Sequence, residues 1–183
     1  MQALRPFVAG AGLEIGVGTG RFAAALGIGT GVEPAPAMAA RARERGIDVR
    51  AGVAEDLPFD DASFDVALLV ATLCFVSDLP TALSEARRVL RPAGRLVIGL
   101  LDRDAPLGQS TEARKARSPF YAGATLRSTA EVTAALAAAG FRVDALRQTI
   151  FGDPADGDRA WPVRPGAGEG GFVAICASIL PGC

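Results

Sequence analysis

Short apolar runs alternate along this chain with alanine-rich or charged segments, and glycine or proline marks most of the boundaries between them. Apolar runs of strand length predict β-strands, whereas helical spacing opened by Pro, Asp or Ser predicts helices. The predicted strands are residues 12–17, 27–33, 48–52, 64–70, 95–101, 141–151 and 172–180. The predicted helices are residues 21–26, 34–45, 78–90 and 129–139, and residues 102–121 and 152–171 are predicted to be irregular connections.

This alternation predicts an α/β fold, in which a mostly parallel sheet carries helices on both faces. Residues 64–70 are apolar at nearly every position, as expected of a central strand that is covered on both sides. No helical pattern separates the last two strands, so the final strand is predicted to run antiparallel, as the second arm of a hairpin. Ser128 and Glu131 predict a capping box on the last helix. Residues 1–183 are predicted to form a single domain.

The stretch from Leu13 to Gly20 joins the end of a predicted strand to three glycines at every second position. Glycine is needed where the backbone angles of a turn exclude a side chain, and where a ligand must approach bare backbone at the positive end of a helix. The spacing differs from the dinucleotide fingerprint G-x-G-x-x-G, because the residue three after Gly18 is Arg21. Glu14 would repel a pyrophosphate and suits a ligand with a cationic amino group. From this pattern alone the loop is either a nucleotide-type cofactor site or an ordinary tight turn.

Composition and charge limit the classes of function. The formal net charge is −1, so neither nucleic acid nor an anionic membrane surface is predicted as a partner. The chain has no histidine, which removes the commonest general base and the commonest zinc ligand, and no metal site is predicted. The three cysteines, Cys74, Cys176 and Cys183, are far apart, which is typical of a protein of the reducing cytoplasm. The longest apolar run, residues 66–76, is too short to span a bilayer.

An acid followed by Gly-x-Gly-x-Gly resembles the loop of class I S-adenosylmethionine-dependent methyltransferases. Further segments resemble the same family, namely Gly31-Val32-Glu33-Pro34, residues 54–59 with 63–66, residues 85–98 and residues 128–141. Together these segments cover most of residues 11–145 in the family's order. The branch with the greatest similarity is the ubiquinone/menaquinone-biosynthesis (methyltransferase type 11) branch, which also has counterparts of residues 72–76, 118–121 and 170–173.

The resemblance implies a Rossmann-like, doubly wound sheet of seven strands in the order 3-2-1-4-5-7-6, with S-adenosylmethionine over the carboxyl ends of strands one, two and four. It implies cofactor contacts from Glu14, Gly16, Gly18, Thr19, Glu33, Pro34, Met38, Ala54, Glu55 and Val70. In the family's roles, Glu14 faces the methionine amino group through the loop, and Glu33 binds the ribose hydroxyls. Ala54 offers its N–H to adenine. Val53 stands where many relatives have an aspartate for the adenine amino group, so Glu55, a water or a backbone carbonyl takes that role.

Each of these residues also has a plain structural interpretation. Glu33 is otherwise an exposed acid at a strand end, Glu14 a partner for a basic side chain, and Met38 a core residue. Glu55 is as well explained by solvation as by function. Four further features are open to the same kinds of interpretation. Cys74 is a buried small hydrophobe or a nucleophile, Tyr121 covers or contacts the substrate, and Trp161 anchors its loop. A basic cluster forms a solvated face or favours an anionic substrate, and its members are Arg103, Arg114, Lys115 and Arg117.

The resulting prediction is an S-adenosylmethionine-dependent methyltransferase that acts on a small molecule, with no catalytic base assigned. A cofactor-binding protein without catalysis and a nicotinamide-dependent oxidoreductase are the alternatives. Only about ten residues precede the first strand, where relatives carry helices that cover the substrate pocket. The N-terminal lid is therefore predicted to be short or missing, and a partner chain, as in a homodimer, is one way to cover the exposed apolar surface.

Overall fold

The structure is a computed structural model that describes residues 1–118, 121–152 and 161–181. Within these ranges eight strands are β1 Gly12–Ile15, β2 Thr30–Val32, β3 Asp48–Arg50, β4 Phe64–Val70, β5 Leu90–Leu101, β6 Phe141–Thr149, β7 Arg164–Pro165 and β8 Phe172–Ile179. The α-helices of the same ranges are α1 Arg21–Leu26, α2 Pro36–Arg43, α3 Leu79–Val89, α4 Pro106–Arg114 and α5 Thr129–Ala138. Short 3-10 turns occur at Arg5–Phe7, Leu73–Phe75 and Lys115–Arg117. No helix of the described ranges is both long and apolar enough to cross a membrane.

The strands form one sheet in the order β3-β2-β1-β4-β5-β8-β6-β7. The pairs among β1 to β5 are parallel, and β8 runs antiparallel to both β5 and β6. The predicted order and the antiparallel last strand are therefore confirmed. The addition is β7, a two-residue strand that pairs with Arg147 and Gln148. It lies in the predicted 152–171 loop, and it is too short to leave a hydrophobic period in the sequence.

Two predictions of secondary structure were wrong, one about an irregular connection and one about the start of a strand. The 102–121 connection contains α4, which starts at Pro106 and has little separation of polar and apolar faces, so periodicity does not reveal it. Its packing is nevertheless close, because a Cβ placed on Gly108 would lie 1.9 Å from the carbonyl oxygen of Asp102. The second difference is that β5 begins at Leu90, directly after α3, where a turn was expected before a strand starting at Arg95. Pro119 and Phe120 of the same connection lie outside the described residues.

Two apolar cores lie on the two faces of the sheet, and β4 contributes to both. Ala67 and Leu69 join the core that α3 and α5 cover, whereas Val66, Leu68 and Val70 join the core that α1 and α2 cover. This alternation is what a fully buried parallel strand requires. On β1, Leu13 and Ile15 belong to the first core. Glu14 between them therefore points to the α1 side of the sheet.

The residues before β1 are part of the second core. Ala3 and Leu4 are fully buried there, and the Arg147 guanidinium lies over the Phe7 ring, with 5.5 Å between its central carbon and the ring centroid. The first residues of the chain thus pack on the α1 face of the sheet. The short or missing cover of the acceptor site stays a prediction from the sequence.

The capping box at the start of α5 provides a test of this architecture. The Ser128 hydroxyl accepts a hydrogen bond from the N–H of Glu131, whose carboxylate accepts from the N–H of Ser128. Ser128→Ala should lower the free energy of unfolding by about 1 kcal/mol, because one N–H of the first turn loses its acceptor. Urea unfolding measures this, with Ser84→Ala on the exposed face of α3 as the matched control, for which a change below about 0.5 kcal/mol is expected. Equal stabilities of the two variants would contradict a role for the box.

Candidate active site

The three glycines of the loop after β1 have different structural reasons. Gly16, Gly18 and Gly20 all have positive φ, at 70°, 54° and 77°. A Cβ on Gly16 would lie 2.4 Å from the Thr72 side chain, and a Cβ on Gly20 would lie 2.5 Å from Ile47, so close packing excludes side chains at both positions. A Cβ on Gly18 would meet nothing within 4 Å. Gly18 is therefore the position at which bare backbone faces open space that a ligand can enter.

Glu33 lies beside this opening. It follows β2, is half-buried, and accepts hydrogen bonds from the N–H of Gly18 at 2.9 Å and from the N–H of Ala35 at 3.0 Å. Its two carboxylate oxygens therefore connect the glycine loop to the start of α2. Each oxygen retains capacity for a further hydrogen bond.

Glu14 lies beneath the loop. Its side chain is buried, with a relative exposure of 1%, and its Oε2 accepts from the N–H of Ala23 at 2.7 Å. Ala23 is in the first turn of α1, whose N-cap residue, Gly20, has no side chain to offer. Loss of water raises the pKa of the Glu14 carboxyl to about 8, against the opposing effect of the Ala23 hydrogen bond. The structure therefore places this buried carboxyl against the first turn of α1. The contact of Glu14 to a methionine amino group stays a prediction.

The remaining predicted residues lie in the loop after β1 or at and after the carboxyl ends of β2, β3 and β4. Met38 and Val53 are exposed to 38% and 44%, so Met38 is not a core residue. Ala54 is buried, and its N–H has no acceptor within the ranges that the structure describes. Glu55 accepts from the N–H groups of Ser77 and Asp78, at 2.8 and 3.2 Å, and so holds this loop to the start of α3. Of the others, Pro34 is exposed, Thr19 is half-buried and Val70 is buried at the end of β4.

Thr72 was not predicted as a site residue. Its hydroxyl lies 3.1 Å from the carbonyl oxygen of Ile15 and 3.2 Å from that of Val70, so it joins the ends of β1 and β4. The preceding residue, Ala71, has a positive φ of 55°. The sequence signal was its position directly after the central strand, within the 72–76 segment already noted for the family resemblance.

A small cavity of about 20 Å³ follows the ends of β4 and β5. Its lining residues are Ala71, Leu73, Cys74, Gly99, Leu100, Leu101, Tyr121, Leu126 and Arg127. Burial raises the pKa of the Cys74 thiol and of the Tyr121 hydroxyl above their ordinary values, so both groups stay protonated at neutral pH. Arg127 was not singled out in the sequence. The predicted basic cluster lies elsewhere: Arg103 pairs with Asp104 and Glu131, and Lys115 pairs with Glu112.

A much larger groove, of about 1080 Å³, lies between α3 and α5. Its lining includes Asp61 and Leu90, at the amino ends of β4 and β5, and Gly140. These residues are at the opposite edge of the sheet from Gly18 and Glu33. Ligands of open α/β sheets bind outside the carboxyl ends of the strands, so size does not make this groove the active site.

Comparisons with known proteins identify the family of this chain. A sequence profile of a methyltransferase domain (type 11) matches residues 13–98. The crystal structure of an S-adenosylmethionine-dependent methyltransferase from Thermotoga maritima, described as a possible histamine N-methyltransferase, is 46% identical and has a TM-score of 0.94, with 97% of this chain and 86% of that chain covered. The chain belongs to the class I S-adenosylmethionine-dependent methyltransferases.

Two uncharacterised proteins are also similar to this methyltransferase. One, from Methanocaldococcus jannaschii, is 45% identical over 171 residues, which is 93% of this chain and 83% of that protein. The other, from Mycobacterium tuberculosis, is 42% identical over 139 residues, and the chain spans 48% of its length. The family establishes S-adenosylmethionine as the cofactor, and the matching profile is that of the type 11 branch. The open space at Gly18 leaves room for a ligand to contact the backbone of the loop. The carboxylate of Glu33 next to it suits a ligand with paired hydroxyl groups.

The buried acid of this methyltransferase should be visible in the pH dependence of stability. The folded chain keeps a proton on Glu14 up to a pKa of about 8, whereas the unfolded chain releases it near the ordinary value of 4.5. The contribution of protonated Glu14 to the free energy of unfolding is therefore fully present below pH 4.5 and is lost as the pH rises through about 8. The side chain of Glu14→Gln stays neutral at every pH. The free energy of unfolding of this variant, relative to that of the wild type, should therefore increase by roughly 2 kcal/mol from about pH 5.5 to about pH 7.5. Urea unfolding of both proteins across this range measures the difference. The chain has no histidine to obscure it, and parallel pH profiles would contradict the burial effect.

Proposed function

We propose that this methyltransferase transfers a methyl group from S-adenosylmethionine to a small-molecule acceptor held beside the ends of β4 and β5. The observation that carries the proposal is the junction of Gly18 and Glu33, where an open backbone position and a carboxylate lie within one hydrogen bond of each other. The description of the Thermotoga maritima relative supports a small acceptor, because histamine is a small molecule. The net charge of −1 supports neither DNA nor RNA as the acceptor.

The cofactor half of the site consists of the predicted residues. Glu33 accepts the ribose hydroxyls on the lone pairs that its backbone contacts leave free. Met38 and Val53 supply exposed apolar surface for the adenine ring, and the unused N–H of Ala54 donates to that ring. Gly16, Gly18 and Thr19 provide backbone contact to the methionine part, and Val70 bounds it from β4.

When bound, S-adenosylmethionine supplies an electrophilic methyl group on its sulfonium. The protein then has to align the acceptor, exclude water and remove a proton only if the acceptor carries one, since alignment alone lowers barriers by several kcal/mol. The buried walls at Leu100 and Leu126 exclude water from the small cavity. Phe75, exposed to 55% next to Cys74, is surface that an acceptor or a second copy of the chain would cover. A homodimer and a cytoplasmic location both remain predictions from the sequence.

Removal of the Glu33 charge tests the cofactor site. Glu33→Gln should weaken S-adenosylmethionine binding by about 10-fold to 100-fold, because hydrogen bonds to a charged acceptor contribute about 1.5–3 kcal/mol. Isothermal titration with S-adenosylmethionine and S-adenosylhomocysteine measures the change. Glu44→Gln, at an exposed acid after α2, is the matched control and should bind as the wild type does. Unchanged affinity in the Glu33 variant would reject the ribose-binding role.

A pair of glycine variants separates backbone strain from ligand contact. Gly18 and Gly27 both have positive φ, at 54° and 77°, and a Cβ on either meets nothing within 4 Å. Alanine at each position should therefore cost a similar amount of stability, about 1 kcal/mol. Only Gly18→Ala should also lose S-adenosylmethionine affinity, by about tenfold or more, because its methyl group occupies the approach to the loop. Thermal unfolding and titration of both variants measure the two effects. Equal affinities would place the ligand away from Gly18.

A further inference from the structure

The small cavity beside β4 and β5 has apolar walls and one charged residue among the described residues that line it. Arg127 is that residue, and no aspartate or glutamate is part of the lining. With a volume of about 20 Å³ the cavity admits about one water-sized group, which is enough for the reacting end of an acceptor and not for its body. The charge of Arg127 therefore acts at short range on whichever atom enters.

The hydrogen bonds of Arg127 leave part of its guanidinium available. Its Nε donates to the carbonyl oxygen of Leu73 and its Nη2 to that of Val76, both at 3.3 Å. Its Nη1 has no partner within the described ranges of the chain. A guanidinium with a free N–H fork in apolar surroundings is a strong site for an anionic oxygen or sulfur.

The neighbouring carboxylates do not neutralise this charge within the cavity. Asp102 is buried and accepts from the hydroxyl and N–H of Thr129 and from the N–H of Asp104. Glu131 is close enough to Arg127 for its pKa to be lowered by that charge, but it forms its ion pair with Arg103 at 2.9 Å. These carboxylates are bound to partners outside the cavity lining, so Arg127 is the one charged group among the described residues that line the cavity.

We propose that the acceptor is a small aryl thiol, or a phenol acidic enough to be ionised at neutral pH, that it reacts as its anion, and that Arg127 is the residue that selects it. This inference rests on the proposed function. The lone pair of the anionic sulfur or oxygen forms the bond to the methyl carbon as the bond from that carbon to the sulfonium sulfur breaks, and the breaking pair stays on that sulfur. No proton moves, so no base is needed. This agrees with a chain that has no histidine. An ammonium ion would instead face the guanidinium, with no carboxylate in the lining to pair with it.

A matched acceptor series tests the inference on the full chain. Thiophenol and benzylamine have similar size and opposite charge at neutral pH, and histamine adds the acceptor named for the Thermotoga maritima relative. Formation of S-adenosylhomocysteine and of the methylated product is measured for each acceptor. The wild type should prefer thiophenol to both amines by at least about tenfold in kcat/KM.

Variants of Arg127 then separate selection from structure. Arg127→Gln should reduce the thiophenol-to-benzylamine ratio by about tenfold or more, whereas Arg127→Lys should retain most of it, because the charge is kept. Loss of the contacts to Leu73 and Val76 alone would lower both rates and leave the ratio unchanged. Arg41→Gln, on the exposed face of α2, is the control and should behave as the wild type does. S-adenosylmethionine affinity should be the same in all four proteins.

The outcomes distinguish this inference from the function on which it rests. Absence of S-adenosylmethionine binding in the wild type would overturn the proposed function itself. Intact cofactor binding together with no methylation of thiophenol, a preference for either amine, or an unchanged ratio in Arg127→Gln would overturn only the selection by Arg127. If Arg127→Gln does not fold, the wild-type preference and the Arg127→Lys ratio decide the question.

Discussion

The hydrogen bond from Gly18 to Glu33 is the interaction on which the proposed cofactor half of the site depends. It connects the loop after β1 to the residue after β2, and the adjacent bond from the N–H of Val17 to the carbonyl oxygen of Val32, at 2.9 Å, fixes the same two segments one step earlier. The second oxygen of Glu33 is held by Ala35. A carboxylate fixed by two backbone donors is preorganised, so a ligand that binds it does not have to order it first.

Beneath this junction, Glu14 supplies α1 with a hydrogen-bond acceptor that the residues next to the helix do not supply. The helix has six residues and starts after a glycine, so its first N–H groups lack a capping side chain. Glu14 supplies an acceptor from the adjacent strand, and burial keeps its carboxyl largely protonated below a pKa of about 8. The contact to Ala23 makes Glu14 a support of the loop, and its role as a partner of the methionine amino group stays a prediction.

The parts of the structure that could be predicted are those that local pattern determines. The parallel sheet followed from the alternation of strands and helices, the strand order from the family resemblance, and the capping box from Ser128 and Glu131. The helix α4 escaped detection because its polar and apolar residues are not separated by face, and β7 because two residues have no period. Thr72 and Arg127 escaped for another reason. Their roles come from contacts with Ile15 and Leu73, which are 57 and 54 residues away in the sequence.

This division follows the chemistry of the two halves of the site. The proposed cofactor half uses backbone groups, glycines and strand-end acids, and its central junction joins Gly18 to Glu33, which are 15 residues apart in the sequence. The proposed acceptor half uses residues from the segment after β4, from β5 and from the segment before α5, which meet only when the sheet is complete. Nothing in the neighbourhood of Arg127 in the sequence indicates whether its side chain points to solvent or to a cavity. A shared cofactor is therefore visible in the sequence of such a protein, whereas the acceptor has to be inferred from the charge and the free hydrogen-bond donors that the fold collects beside the methyl group.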